Sequence, residues 1–211
     1  MKYKREKIVS NIYETSKSKK DAGLFTVSER RYNVYDLDQV KDEFCREYRH
    51  DEKIKSCDAY YYDGCNQLIM EFKNTHHRNL KEYYHEIEIK IVDTHMLLKE
   101  TFCRTKKHSE LCKNLHLVVV YNDALNYGKG VCNIQNALNT MKPKIGNGSR
   151  AGKKTERFAD EKEYMQAVNG TKHKYEGSFY KEIQFMDKVQ FQEFYLDSDY
   201  FGNLAEWQDI V

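Results

Sequence analysis

An Asp-Gly pair between two strand-like runs constrains the fold of this chain more than any other feature of its sequence. The first run, residues 57–62, is rich in tyrosine. In the second run, residues 67–73, the apolar residues Leu68, Met70 and Phe72 alternate with Ile69, Glu71 and Lys73. Asp63 and Gly64 lie between the runs, and such a pair favours the tight turn of a β-hairpin. The sequence therefore predicts two antiparallel strands joined through residues 63–66.

The register of this hairpin decides which side chains share a face. If Tyr62 pairs with Gln67, Asp58 lies directly opposite Glu71; a two-residue loop would place the two carboxylates diagonally instead. Both registers put them on one face, together with Lys73, because side chains alternate along a strand. Adjacent carboxylates repel each other unless a cation lies between them. The pattern therefore favours a Mg²⁺ or Mn²⁺ site, and the alternative is an ion pair between Asp58 and Lys73 on a solvated face.

Helices and further strands are predicted around the hairpin. Apolar residues at helical spacing indicate a helix over residues 38–49, capped by Asp36 or Asp38, and a long helix over residues 78–102. Residues 115–121 are nearly all apolar, which is typical of a strand covered on both faces. We therefore expect an α/β (mixed α+β) fold, in which helices flank a mixed central sheet that contains the antiparallel hairpin.

The C-terminal part of the chain is less regular. Residues 124–141 are partly helical in pattern, and the glycine- and lysine-rich residues 142–157 predict a loop. Later elements are predicted as follows: a helix over 158–168, a strand over 182–186 and a closing helix over 188–196 capped by Asp187. We expect a single domain over residues 1–211, with a core at about 36–122 and a C-terminal elaboration at about 123–211.

Composition limits the class of protein. The 35 Lys and Arg residues nearly balance the 33 Asp and Glu residues, so a surface for nucleic acid must be a local patch. No apolar run is long enough for a membrane span, and the basic N-terminus lacks the apolar segment of a secretory signal. The six cysteines are scattered, so we expect reduced thiols, a cytoplasmic location and no membrane association.

Asp58, followed after twelve residues by Glu71-Phe72-Lys73, resembles the motif of the PD-(D/E)xK nuclease superfamily. The stretch CDAYYYDGCNQLIMEFKNT carries the resemblance, which covers about residues 38–122. Four D/E-x-K triplets occur in the chain, but only the one at Glu71 lies on an alternating strand behind a hairpin. The resemblance implies a restriction-endonuclease-like core, in which a helix, an antiparallel meander, a second helix and a further strand follow one another.

The resemblance also implies a function and a set of site residues. It implies hydrolysis of phosphodiester bonds with Mg²⁺ (or Mn²⁺), held by Asp58 and Glu71, while Lys73 assists the attacking water. In the family the first helix often adds a glutamate; Glu47 and Glu43 are the candidates, and Glu47 lies nearer the apolar stripe of its helix. Two features depart from the family pattern: a cysteine precedes Asp58 where a proline is usual, and one meander strand must come from residues 53–56 or 25–35.

Partners are predicted from the remaining charged and apolar patterns. The basic loop could hold a nucleic-acid backbone, DNA being favoured over RNA, or it could be an ordinary solvated loop. Its candidate contacts are Arg150, Lys153, Lys154 and Arg157. The length of the helix over residues 78–102 exceeds what a small sheet covers, which favours a homodimer. The competing hypothesis is a non-catalytic protein of the same fold that acts in binding, immunity or scaffolding.

Overall fold

The computed structural model describes residues 8–16, 32–48, 54–73, 80–102, 113–121 and 166–203. Six strands lie in these ranges: β1 (Val9–Asn11), β2 (Asn33–Asp36), β3 (Ala59–Tyr62), β4 (Gln67–Lys73), β5 (Leu115–Tyr121) and β6 (Glu182–Asp187). The helices are α1 (Ile12–Thr15), α2 (Leu37–Tyr48), α3 (Leu80–Thr101), α4 (residues 166–175) and α5 (Lys188–Phe191). A π-helical turn, Gln192–Leu196, continues α5.

The six strands form one mixed sheet in chain order, β1 to β6. The strands β1 to β4 are mutually antiparallel, whereas β4, β5 and β6 run parallel. Parallel neighbours need a crossover connection, and α3 lies in the connection from β4 to β5. The mixed α/β fold predicted from the sequence is therefore confirmed. Among the described residues, no helix is long and apolar enough to cross a membrane.

The predicted hairpin is confirmed with the first of its two registers. Tyr62 pairs with Gln67, and Ala59 pairs with Met70. The Asp63 carboxylate accepts hydrogen bonds from the backbone N–H groups of Cys65 and Asn66, at 2.8 and 2.7 Å. Gly64 has a φ of 99°, a left-handed conformation that costs glycine little. The Asp-Gly pair thus closes the turn through a side-chain cap and a glycine.

The core has two layers, one on each face of the sheet. One layer joins the sheet to α2 and α3, and the other joins it to α5 and the π-helical turn. The first includes Tyr60, Ile69, Leu117 and Val119 of the sheet with Val40, Phe44, Ile87 and Ile91 of the helices. The second includes Leu68, Met70, Phe72 and Val118 with Phe191, Tyr195 and Leu196. Every residue of β4 is buried, because helices cover this strand on both sides.

Most of the other predicted elements are found close to their expected bounds. The first helix starts one residue early, and Asp36 caps it by accepting a hydrogen bond from the Gln39 N–H at 3.0 Å. Asp187 caps α5 through a capping box with Gln190, as expected for the closing helix. The helix predicted at 158–168 lies within the described residues only from residue 166, and there α4 continues to residue 175. Residues 124–157 lie outside the described ranges.

One meander strand was expected from residues 53–56 or 25–35. The strand beside the hairpin is β2, which overlaps the second of these ranges. Residues 54–57 form no strand. As a result α2 lies between β2 and β3, whereas the restriction-endonuclease-like core was expected to place its first helix ahead of the meander. The order of elements from β3 through α3 to β5 agrees with the sequence-based expectation.

Candidate active site

The centre of the candidate site lies on the face of β4 that α3 covers. Ile69, Glu71 and Lys73 alternate with the apolar residues of the opposite face, and Ile69 belongs to the core layer shared with α3. Glu71 and Lys73 are consequently buried, with side chains 1% and 8% exposed. Lys73 therefore does not lie on the solvated sheet face that the alternative, an ion pair between Asp58 and Lys73, requires.

Asp58 enters the site from the residue just before β3. Its N–H donates to the Met70 carbonyl at 3.0 Å, and its own carbonyl accepts from the Leu37 N–H at 3.2 Å. Its carboxylate Oδ2 accepts from the Phe72 N–H at 2.6 Å. These three bonds fix the Asp58 carboxylate beside the backbone of β4, next to Glu71.

Helix α3 anchors the chain that leads into Asp58. Thr94 Oγ1 accepts a hydrogen bond from the Cys57 N–H at 2.8 Å, and the Asp93 carboxylate accepts one from the Lys55 N–H at 2.9 Å. Thr94 is fully buried. The position of Asp58 therefore depends on the packing of α3 as well as on the hairpin.

Two ammonium groups neutralise Glu71. Lys73 Nζ lies 2.8 Å from Glu71 Oε1. Lys90, on α3, places its Nζ 2.7 Å from Glu71 Oε1 and 2.9 Å from Oε2. The same Lys90 Nζ lies 3.9 Å from Asp58 Oδ1, so this ammonium group lies between the two carboxylates. A third carboxylate, that of Glu86 on α3, lies 3.6 Å from Lys73 Nζ.

The charges in this cluster shift one another's protonation. Burial raises the pKa of the Asp58 carboxyl to about 7, and the negative charge of Glu71 adds to the increase. Lys90 and the hydrogen bond from Phe72 act in the opposite direction without cancelling it. Burial alone would lower the pKa of Lys90, but the charges of Glu71 and Asp58 outweigh it and raise that pKa. Lys90 therefore stays cationic.

Cys57, next to the carboxylates, contributes no charge. Burial raises the pKa of its thiol, and the neighbouring charge of Glu71 raises it further. A thiolate is the form of cysteine that attacks or ligates, so Cys57 remains an inert, buried thiol at neutral pH. The polar chemistry of the site rests on carboxylates and ammonium groups.

The carboxylate pair has the donor chemistry of a Mg²⁺ or Mn²⁺ site. Asp58 and Glu71 supply hard oxygen donors, and Mg²⁺ in proteins usually keeps several waters while binding one or two carboxylates. The pair also accommodates a cation, since the Lys90 ammonium lies between the two groups. Within the described ranges, no cluster of three or more histidine, cysteine or acidic side chains is arranged for a metal. The pair therefore fits an ion that takes its remaining ligands from water or substrate.

The structure brings together three of the four predicted catalytic residues, Asp58, Glu71 and Lys73. Glu47 is exposed in the last turn of α2, and Glu43 pairs with Arg46 at 3.2 Å. Among the described contacts, none joins either glutamate to the cluster. The last turn of α2 extends beyond the core, as the 47% exposure of Tyr48 on the same stripe shows. The predicted nucleic-acid contacts Arg150, Lys153, Lys154 and Arg157 lie outside the described residues.

Sequence reasoning missed Lys90 and Glu86. Lys90 ends one of the four D/E-x-K triplets, Glu88 to Lys90, which falls within the predicted long helix rather than on a strand. The available signal was its position on α3: Lys90 precedes the buried Ile91 and follows the buried Ile87 by three residues. A lysine on that flank of a sheet-covering helix can reach the strand beneath it.

No family model, curated protein or solved structure matches this chain. The resemblance to the PD-(D/E)xK superfamily therefore stays a prediction from the motif.

Proposed function

We propose that the protein is a divalent-metal-dependent nuclease that hydrolyses phosphodiester bonds, with Mg²⁺ or Mn²⁺ as cofactor and DNA favoured over RNA as substrate. The observation that carries the proposal is the convergence of Asp58, Glu71 and Lys73 on one sheet face. Like charges at adjacent strand positions are unfavourable. A buried ionisable group with a strongly shifted pKa, such as Asp58, is more frequent at functional sites than elsewhere.

Each residue of the cluster has a distinct task in this proposal. Asp58 and Glu71 hold the metal, which when bound supplies Lewis-acid stabilisation of phosphate charge and a more acidic water. Lys73 is held between Glu71 and Glu86, so its ammonium group is oriented before substrate arrives. From there it stabilises negative charge that develops on a phosphate oxygen or orients the attacking water. A preoriented charge of this kind costs little reorganisation during the reaction.

One observation favours the second candidate, a non-catalytic binding or scaffold protein. Lys90 and Lys73 together neutralise Glu71, and the Glu71 side chain is almost inaccessible. A closed cluster of this kind resembles a structural ion network, which needs no metal. The two candidates differ in what they require of divalent ions.

Cleavage assays distinguish the two candidates. We would incubate the protein with supercoiled plasmid, single-stranded DNA and RNA, in Mg²⁺, in Mn²⁺ and in chelator. The nuclease proposal expects cleavage of DNA that chelator abolishes and that Glu71→Gln removes. The matched control is Lys174→Met, which breaks an exposed ion pair between Lys174 and Glu88 of α3 and should leave cleavage unchanged.

Two results would overturn the nuclease proposal. The first is no cleavage of any substrate by a folded protein with either metal. The second is equal cleavage by the wild-type protein and by Glu71→Gln, because the activity would then come from another site or a contaminant. Either result moves the assignment to the binding-protein candidate.

A further inference from the structure

We propose that Lys90 is a built-in competitor for the divalent cation, which must displace its ammonium group from between Asp58 and Glu71. This inference rests on the proposed function, because it concerns the same carboxylate pair. It adds a regulatory property: the site would be occupied by the chain's own cation until the concentration of metal is high enough.

The distances place the ammonium group where a metal ion would bind. Lys90 Nζ contacts both oxygens of Glu71, at 2.7 and 2.9 Å, and lies 3.9 Å from Asp58 Oδ1. A Mg²⁺ ion shared by these carboxylates needs oxygen contacts of about 2.0–2.1 Å. An ammonium group and a metal ion cannot share this space, and two cations this close would repel each other strongly. Metal binding therefore requires Lys90 to leave.

Lys73 is a weaker candidate for this exchange. Its contact is with Glu71 Oε1, and it has a second carboxylate partner in Glu86 at 3.6 Å. Lys90 carries the ammonium group that lies between both proposed metal ligands, Asp58 and Glu71. Displacing Lys73 would leave the Lys90 ammonium group between Asp58 and Glu71, so it would not open the site to a metal ion.

The displaced ammonium group has a nearby partner. Glu86 lies one helical turn before Lys90 on α3, and residues four apart on a helix are neighbours. The Glu86 side chain is 38% exposed, so it borders solvent. A Lys90 side chain that turns toward Glu86 therefore stays paired at the edge of the site, and no unpaired buried charge remains.

Metal-binding measurements without nucleic acid test this inference. We would titrate Mn²⁺ alone into the wild-type protein, Lys90→Met, Lys90→Arg and the control Lys174→Met, using calorimetry. Lys90→Met keeps the side-chain stem and removes the charge, so Mn²⁺ should bind about tenfold to a hundredfold more tightly, the equivalent of one charge-assisted hydrogen bond. Lys90→Arg keeps a competing cation and should bind no more tightly than wild type. Lys174→Met should match wild type.

Thermal unfolding provides a second measurement if metal-free Lys90→Met is too unstable to titrate. In that case the variant is purified with Mn²⁺, and its Tm is measured in saturating Mn²⁺ and in chelator. The inference expects a larger Mn²⁺-dependent increase in Tm for Lys90→Met than for wild type, because metal replaces the missing charge. An equal or smaller increase would contradict it.

The outcomes separate this inference from the proposed function. Tight binding by Lys90→Met with no detectable binding by wild type supports the competition and argues against a metal-dependent wild-type enzyme. Equal binding by both overturns the competition and leaves the nuclease proposal intact. If neither the wild-type protein nor Lys90→Met binds Mn²⁺, the competition and the metal-dependent nuclease proposal are both overturned.

Discussion

A carboxylate in the middle of a fully buried strand is unfavourable unless nearby charges compensate it. Glu71 occupies such a position, and Lys73 and Lys90 compensate it from the strand and from α3. Removing one member of a buried ionic group usually costs more than the group itself contributes, because it leaves an uncompensated charge. Variants at this site must therefore be compared for both folding and function.

Lys73→Met separates metal binding from chemistry. In the metal-free variant Lys90 still compensates the charge of Glu71, so the site should stay folded. Mn²⁺ should then displace Lys90 and bind Asp58 and Glu71 as in the wild-type protein. Cleavage should fall on the order of a hundred- to a thousandfold, the usual effect of losing one preorganised electrostatic group. Single-turnover cleavage rates and Mn²⁺ calorimetry on the same preparation check this. Loss of Mn²⁺ binding along with cleavage would show that Lys73 supports the structure of the site.

The pKa of Asp58 predicts how the stability of the metal-free protein depends on pH. Its value in the folded protein is about 7, against an ordinary value of 3.8, so the folded state binds the proton more tightly. The stabilisation is complete below about pH 4 and is lost as the pH rises toward 7. In chelator, the free energy of unfolding should therefore decrease from about pH 4 to 7, and Asp58→Asn should reduce this slope.

Denaturant unfolding at several pH values measures that slope for both proteins. An identical pH dependence in wild type and Asp58→Asn would mean that another group controls it. An increase in wild-type stability over the same range would contradict the predicted sign.

At the level of elements, local sequence signals were sufficient to predict the hairpin and its register. They predicted the bounds of α3 but not its rotation about its own axis. The Asp-Gly turn, the alternation along β4 and the spacing of Asp58 all act within a few residues, so the sequence alone predicted their arrangement. The contact between Lys90 and Glu71 joins two residues that are 19 positions apart in the chain, and it depends on the rotation of α3 about its axis. An apolar stripe defines that rotation only within a broad arc, so the sequence did not show which flanking charge would reach the site.

Thr94→Val tests the dependence of the hairpin on α3. The hydroxyl of Thr94 accepts the Cys57 N–H in a buried setting, and valine has the same shape without the acceptor. The unpaired N–H of Cys57 should destabilise the protein by about 1–3 kcal/mol. Cleavage should also decrease, because Asp58 follows Cys57 directly. Chemical denaturation and cleavage rates are the measurements.

Thr101→Val is the matched control on the same helix. Its hydroxyl donates to the Leu97 carbonyl of α3 at 2.6 Å, so its removal leaves no N–H unpaired. We expect a smaller loss of stability and unchanged cleavage. Equal effects of the two substitutions would indicate that the contact at Cys57 has no special part in placing Asp58.

For the whole molecule, the site depends on a sheet that is covered on both faces. The face opposite the candidate site packs against α5 and the π-helical turn, which follow β6. This part of the chain was expected to be an elaboration of a core ending near residue 122. In the structure β6 extends the sheet beside β5, and the following segment covers the back of β4. The strand that carries Glu71 and Lys73 is thus supported from residues more than a hundred positions later.

Phe191→Ala tests that support. Phe191 is 2% exposed, and its ring lies 5.7 Å from that of Phe72 in β4 and 5.3 Å from that of Tyr195. Removing a buried phenylalanine ring costs about 3–5 kcal/mol, because it forfeits apolar burial and leaves a cavity. We therefore expect a large loss of stability in denaturant unfolding.

Phe194→Ala is the matched control, because it removes an aromatic ring from the same segment without removing one from the core. Phe194 lies in the π-helical turn that continues α5 after Phe191, but 63% of it is exposed. Its removal should change stability by about 0.5 kcal/mol or less, as is usual for surface positions. If Phe191→Ala were as mild as Phe194→Ala, the C-terminal segment would not be holding β4 in place. The geometry of Glu71 and Lys73 would then have to be maintained from the α3 side alone.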